Sequence, residues 1–310
     1  MLDIRYRWRW KCNSCDGIYE SLDIRFTKAC DNNCSFCIEK FGIKSLGKTD
    51  VAALAKSVFD SDFKNILIVG GEPLLDLQKL YQFVHLVRSY TKVKKIYVTT
   101  SLPISIDINL DTKNLLIDII KLIDGLNVSL QHYDSRINNV VLHASSKHDR
   151  LETLFMLTHI NPEIRNKIRV NLNLVQGYID NKIEVLKAIR LLSNVYHVKT
   201  IKLNELQNSD KYVSFENIFL DCELSSPYAH GCQTDITHYF DSLSLMHDIQ
   251  ILLKRSCFLV EPSKTATFSD LVKVVGKRIK NEKHKFGVLY ENGKLESHWL
   301  TNEEINNKTR

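Results

Sequence analysis

A chain of 310 residues that is 44% hydrophobic and 25% charged has the composition of a folded protein, long enough for one large α/β domain with a small appendage and too apolar for a disordered one. Its formal net charge of +6 suits an anionic substrate or an acidic peptide but falls short of a nucleic-acid-binding signature, so nucleic acid is not an expected partner. No stretch approaches the roughly 20 apolar residues of a membrane span, and Arg5, Arg7 and Arg9, interleaved with Tyr6, Trp8 and Trp10, break up what would be the apolar region of a signal peptide; no membrane partner and a cytoplasmic location are expected.

Asp3 to Trp10 alternates like a strand, with the arginines on a solvated face, and Cys12-Asn-Ser-Cys15 follows as a knuckle. From Glu20 onward, β-branched runs alternate with amphipathic stretches, the pattern of βα units around a parallel sheet. Strands are predicted at Ser21 to Phe26, Lys64 to Val69, Lys95 to Thr99, Leu126 to Leu130, Ile168 to Val175 and Val198 to Leu203. Helices are predicted from a Thr49-Asp50 cap to Phe59, and over Asp76 to Tyr90, Lys113 to Ile123, Arg150 to His159 and Ile179 to Leu192. Six such units are fewer than the eight of a closed barrel and fit a partial (β/α)6 barrel. Beyond Glu205 the alternation fades until Phe286 to Tyr290 and Lys294 to Trp299 flank Asn292-Gly293, a hairpin signal. The chain therefore divides into an N-terminal strand with its Cys-x2-Cys extension (1–19), an α/β partial barrel (20–205) and a C-terminal extension (206–310) that ends in a β-hairpin and caps the substrate side.

Eight cysteines in a chain with no export signal point to metal ligation or redox chemistry rather than to disulfides. Cys30-Asp-Asn-Asn-Cys34-Ser-Phe-Cys37 brings three thiols together on one loop directly after the first strand. A structural zinc ion wants a fourth ligand, whereas a cubane cluster held by three cysteines leaves one iron open to a cofactor or substrate. Half a zinc site completed by Cys12 and Cys15, or plain buried thiols, are the other readings of the spacing.

The second predicted strand ends in Gly70-Gly71-Glu72-Pro73. With the cysteine loop this segment resembles the radical S-adenosylmethionine (SAM) superfamily, whose members carry both features on a partial (β/α)6 barrel. The resemblance implies a [4Fe–4S] cluster on Cys30, Cys34 and Cys37 whose open iron chelates SAM, reductive cleavage of SAM to a 5′-deoxyadenosyl radical, hydrogen abstraction from a substrate, and an electron donor such as flavodoxin or ferredoxin. It also implies cofactor contacts from Gly70, Gly71 and Glu72 and from Phe36 against the adenine. Asn127-Val128-Ser129-Leu130, Ile96 to Thr100 and Arg169-Val170-Asn171 are similar to strands of the branch containing the molybdopterin GTP 3′,8-cyclase and peptide-modifying enzymes. This adds Ser129 and Thr100 at the ribose, Arg169 at the methionine carboxylate, and Asn171. The cyclase's own activity is not expected, because the chain ends Asn307-Lys308-Thr309-Arg310 without a Gly-Gly tail and its late cysteines lack the compact second-cluster spacing. The cysteine count likewise excludes a full seven-cysteine auxiliary domain.

Cys12, Cys15, Cys232 and Cys257 are candidate ligands of an auxiliary site, with a second iron–sulfur cluster, zinc and unligated thiols all open; Cys222 is a candidate hydrogen-atom donor. His132, followed by Tyr133 and Asp134, comes after the fourth strand and Glu205 after the sixth, where barrel enzymes place substrate-contacting groups. Modification of a ribosomally made peptide is the favoured function, with transformation of a small metabolite or nucleotide and a non-catalytic iron–sulfur or zinc scaffold as alternatives.

Overall fold

Burial that alternates every second residue fixes the strands. In the computed structural model, which describes residues 20–37, 39, 45–90, 92–105, 109–145, 148–205, 233–235, 250–254, 285–297 and 300, six strands follow one another: β1 (Glu20–Thr27), β2 (Asn65–Gly70), β3 (Lys95–Thr100), β4 (Gly125–Leu130), β5 (Ile168–Leu174) and β6 (Thr200–Glu205). Each pairs in parallel with the next. Ile24, Ile68, Val98, Val128, Val170 and Ile201 are buried in one apolar cluster with helical Leu54, Leu80, Leu116, Leu154 and Leu192. One face of the sheet is therefore covered by helices, and the half-buried alternate residues line the other. The predicted strand at Asp3 to Trp10, together with Cys12, Cys15, Cys222, Cys232 and Cys257, lies outside the described residues.

The crossovers are helices started by side-chain caps. Asp50, Asp76, Asn109, Asp149 and Asn181 each accept backbone N–H bonds at the starts of α1 (Val51–Asp60), α2 (Leu77–Arg88), α3 (Leu110–Leu122), α5 (Arg150–Ile160) and α7 (Lys182–Asn194). The caps correct two predicted boundaries: α3 starts before Lys113 because Asn109 caps it, and α7 starts after Ile179 because Asn181 does. Two helices were not predicted, α4 (Ser135–Leu142) capped by Asp134 and α6 (Pro162–Lys167) capped by Asn161.

The sheet continues past the six expected strands. β8 (Gln250–Lys254) adds in parallel to β6, and β9 (Lys285–Tyr290) adds in parallel to β1. Short antiparallel strands, β7 (Gln233–Asp235) and β10 (Leu295–Glu296), form the two edges. β9 and β10 are the predicted hairpin, turned at Asn292-Gly293 with Gly293 N–H donating to Tyr290 O over 2.8 Å. Among the described residues the sheet is open between β7 and β10. Parallel pairing puts the C-terminal ends of β9 and β1 to β6 on one edge, and the cysteine loop leaves from that edge.

No described helix is long and apolar enough to cross a membrane.

Candidate active site

The cysteine loop starts where β1 ends, and backbone contacts brace it. Asn33 N–H donates to Leu142 O (3.0 Å) at the end of α4, and Ser145 donates to Asp31 O through both N–H (2.8 Å) and Oγ (2.9 Å). Cys37 N–H closes a turn onto Cys34 O (3.2 Å), and Asn32 N–H points at Cys30 Sγ (3.4 Å). Cys30 is exposed while Cys34 and Cys37 are partly exposed, and Phe36 sits half-buried in the turn between the last two.

The Gly70-Gly71 pair lies directly against this loop. Gly71 N–H donates to Thr27 O (2.6 Å) and Glu72 N–H to Ala29 O (2.8 Å). A β-carbon on Gly71 would stand 2.1 Å from Ala29 O, and one on Gly70, whose φ is +120°, would stand 2.4 Å from Thr27 O. Only glycine permits this approach of two backbones. Glu72, by contrast, is turned inward. Its Oε1 accepts Leu74 N–H (3.1 Å) and Thr100 Oγ1 (2.6 Å), and its Oε2 accepts Ser101 N–H and Oγ (2.7 Å each). Burial pushes its carboxyl above the usual range, against the four donors that favour the charged form. Thr100 also accepts Leu102 N–H (2.9 Å), so the two residues given to the cofactor by resemblance hold each other and the end of β3.

Ser101 extends this network to the cysteine loop through a residue that sequence reasoning missed. Arg150, fully buried at the start of α5, donates from Nη1 to Ser101 O and Oγ (3.0 Å each), from Nη2 to Asn32 Oδ1 (2.9 Å) and Asp31 Oδ2, and from Nε to Asn139 Oδ1 (3.3 Å). Asn32 Nδ2 also reaches Ser101 Oγ (2.8 Å). One guanidinium thus joins the cysteine loop to the end of β3. A signal did exist: a cation in the first turn of a helix opposes the macrodipole, so its position asks for a partner elsewhere.

On the sheet face away from the helices, Ser129 and Asn171 stand side by side in register on β4 and β5, and neither side chain has a hydrogen-bond partner among the described residues. Arg169 lies two residues before Asn171 on the same strand, about 6–7 Å further from the cysteine edge, with its guanidinium 4.7 Å from the centre of the Tyr97 ring. Above Asn171 runs a ladder of amides, Asn204 Nδ2 to Asn173 Oδ1 (3.0 Å) and Asn173 Nδ2 to Gln131 Oε1 (2.9 Å). His132 is buried after β4, its ring stacked on Tyr133 at 4.3 Å, and its Nδ1 accepts Asp134 N–H (2.9 Å). Burial holds its pKa below the ordinary histidine value, so the ring is neutral at pH 7 with its proton on Nε2. Burial and the hydrogen bond to Glu184 push the Tyr133 hydroxyl up to about 12. The side chain of Glu205 lies outside the described residues.

Cys30, Cys34 and Cys37 are thiols on one loop, each at least partly exposed, the three-thiolate set a site-differentiated cubane takes. Among the described residues no three His, Cys, Asp or Glu side chains close on a point where one metal ion would sit. A cubane offers a separate iron to each thiolate and does not require such convergence. Gly70 and Gly71 pack against the cysteine loop, and Ser129 and Asn171, side by side in register, have no side-chain hydrogen-bond partner among the described residues.

No curated protein matches the chain. Solved structures that resemble it include native anSMEcpe with bound AdoMet and Cp18Cys peptide (TM-score 0.46, 16% identity, 63% of this chain and 54% of that one). A radical SAM methyltransferase from Sphaerobacter thermophilus (0.49, 16%, 77% and 65%) and BtrN in complex with AdoMet and 2-DOIA (0.36, 20%, 50% and 57%) also resemble it. The match thus spans between half and two thirds of the length of each. The family model of the radical SAM superfamily matches residues 24–192, more than half of the chain and all of β2 to β5 with the cysteine loop. The chain belongs to the radical SAM superfamily.

Proposed function

We propose that Cys30, Cys34 and Cys37 hold the [4Fe–4S] cluster, that SAM lies between it and the half-buried face of β4 and β5, and that the enzyme modifies a peptide. The observation that carries the cofactor reading is the contact of the Gly-Gly-Glu segment with the start of the cysteine loop, made by Gly71 N–H to Thr27 O (2.6 Å) and Glu72 N–H to Ala29 O (2.8 Å). When bound and reduced by an external one-electron donor, the cluster would supply one electron to SAM, giving methionine and a 5′-deoxyadenosyl radical able to abstract hydrogen from the substrate. The chain's share is placement. Gly70 and Gly71 let the second strand end close against the cysteine loop, Ser129 and Asn171 present unengaged hydroxyl and amide groups to the ribose, and Phe36 offers a ring to the adenine. His132, neutral and protonated on Nε2, holds a donor at the mouth. Arg169, further down and stacked on Tyr97, is better suited to fixing the floor of the site than to meeting a carboxylate beside the cluster.

A peptide substrate is supported by Asn204 and Asn173, half-buried and held in place by buried Gln131, because side-chain amides both donate and accept, as a peptide backbone does. The cofactor reading is tested by SAM binding to the reconstituted enzyme. Ser129→Ala and Asn171→Ala are each expected to weaken the Kd by about tenfold, the loss of roughly one hydrogen bond, with iron content unchanged. Unchanged Kd in both removes these residues from the site. The substrate reading is tested by 5′-deoxyadenosine formation with a combinatorial pool of unmodified peptides against a pool of nucleotides and amino sugars. Stimulation by the second pool alone would overturn it. The five remaining cysteines belong to the same proposal as candidates for a second cluster or zinc (Cys12, Cys15, Cys232, Cys257) and for hydrogen-atom donation (Cys222).

A further inference from the structure

The hairpin of β9 and β10 comes from the far end of the chain, yet it touches both ends of the cysteine loop. β9 pairs with β1 from Glu20↔Lys285 to Arg25↔Tyr290, and the next residue, Glu291, is fully buried. Its Oε2 accepts Arg25 Nε (2.8 Å) and its Oε1 accepts Arg25 Nη2 (3.0 Å). That same Oε1 accepts Ser45 Oγ (2.8 Å) and Leu46 N–H (2.7 Å), while Glu291 O accepts Asp50 N–H (2.9 Å).

Arg25 precedes Cys30, and Ser45 and Leu46 follow Cys37. One carboxylate therefore ties the chain entering the loop to the chain leaving it. Arg25 is itself confined: its guanidinium carbon lies 4.5 Å from the centre of the Tyr290 ring, Nη1 is 3.9 Å from Glu39 Oε2, and its Cγ would lie 3.1 Å from a β-carbon on Gly70. The same arginine thus lies against the hairpin, the residue two places after Cys37, and Gly70.

We propose that Glu291 is a positioning residue that staples both feet of the cysteine loop, so that the geometry of Cys30, Cys34 and Cys37 depends on the C-terminal hairpin; this rests on the reading that these cysteines are the cluster ligands. Joining the ends of a loop removes conformations from it, and a buried charge-assisted bidentate pair holds direction as well as distance. A hairpin that only stabilised the fold would act equally through its other contacts, such as Ser57 Oγ to Gly293 O (2.7 Å).

The test uses the full-length, metal-free, reduced protein, with iodoacetamide alkylation of Cys30, Cys34 and Cys37 followed peptide by peptide in a mass spectrometer. Glu291→Ala is expected to speed alkylation of Cys34 and Cys37 by about fivefold or more through local opening, and Ser57→Ala to leave the rates at wild type. Glu291→Gln, which keeps an acceptor but loses the charge, is expected to fall between, and it carries the same criterion if Glu291→Ala does not fold. Rates within twofold of wild type, or equal acceleration by Ser57→Ala, overturn the proposal. The thiols are read without iron, so a wild type that takes up no iron would sink the cluster reading and leave this result standing.

Discussion

Replacing Arg150 with methionine keeps the length and most of the apolar stem of a fully buried side chain but deletes the guanidinium that joins Asp31 and Asn32 to Ser101. Four neutral acceptors, Ser101 O and Oγ, Asn32 Oδ1 and Asn139 Oδ1, lose a donor, at about 0.5–1 kcal/mol each. The Asp31 carboxylate, 12% exposed, loses its cation, and breaking a buried pair from one side costs about 3–5 kcal/mol. Partial access to water brings the total toward the lower end of the sum, roughly 5 kcal/mol. Urea unfolding of the metal-free protein measures it. Because much of the loss is the stranded carboxylate, the double variant Arg150→Met/Asp31→Asn should recover part of it, with a coupling of about 1–2 kcal/mol. A single-variant loss below about 0.5 kcal/mol, or two effects that add within about 0.5 kcal/mol, would refute the view that Arg150 clamps the cysteine loop through Asp31.

Gly71→Ala puts a methyl 2.1 Å from Ala29 O; a destabilisation of about 2 kcal/mol or more and loss of iron uptake are expected, and a melting temperature and iron content equal to wild type would contradict the close approach. For Glu291, burial raises the pKa but hydrogen bonds from Arg25, Ser45 and Leu46 more than offset it, leaving the carboxyl below its usual range. Its folded pKa is below its unfolded one, so its stabilisation is complete above the unfolded value of about 4.3 and is lost as pH falls through the folded value. The stability gap between wild type and Glu291→Gln should therefore be widest near neutrality and close in acid; a gap independent of pH would be inconsistent. His132 has a folded pKa lowered by burial, so its neutral form is stabilising above the unfolded value of about 6.5, and that contribution is lost as pH falls toward the folded pKa. NMR titration of its ring should give a midpoint below about 6.5, and one above 7 would contradict a buried neutral ring.

The six parallel strands could be read from sequence because their signal is local: alternating Ile, Val and Leu sets one face of each strand, and Asp50, Asp76 and Asp149 announce the helices that return the chain. α4 was hidden because Ser-Arg-Ile-Asn-Asn-Val-Val-Leu is poor in strong helix formers; its start is set by the Asp134 cap, in a stretch that otherwise reads as a polar loop. The hairpin at Asn292-Gly293 was visible, but its parallel pairing with β1 joins residues 265 apart in the chain, Glu20 to Lys285, and no local pattern encodes that. The site divides in the same way. Cys30, Cys34 and Cys37 and the glycine pair announce themselves by spacing, whereas the inward turn of Glu72 and Thr100 and the clamp of Arg150 depend on three strand ends meeting, which only the fold brings about.

The central claim is that three cysteines on one loop make the radical-generating centre. It is tested most directly by anaerobic reconstitution with iron and sulfide, reduction, and measurement of SAM conversion to 5′-deoxyadenosine in wild type and Cys34→Ala. The expected result is conversion by the wild type and none by the variant. A reconstituted, reduced wild type that leaves SAM intact, or a Cys34→Ala protein that converts it at the wild-type rate, would contradict the claim.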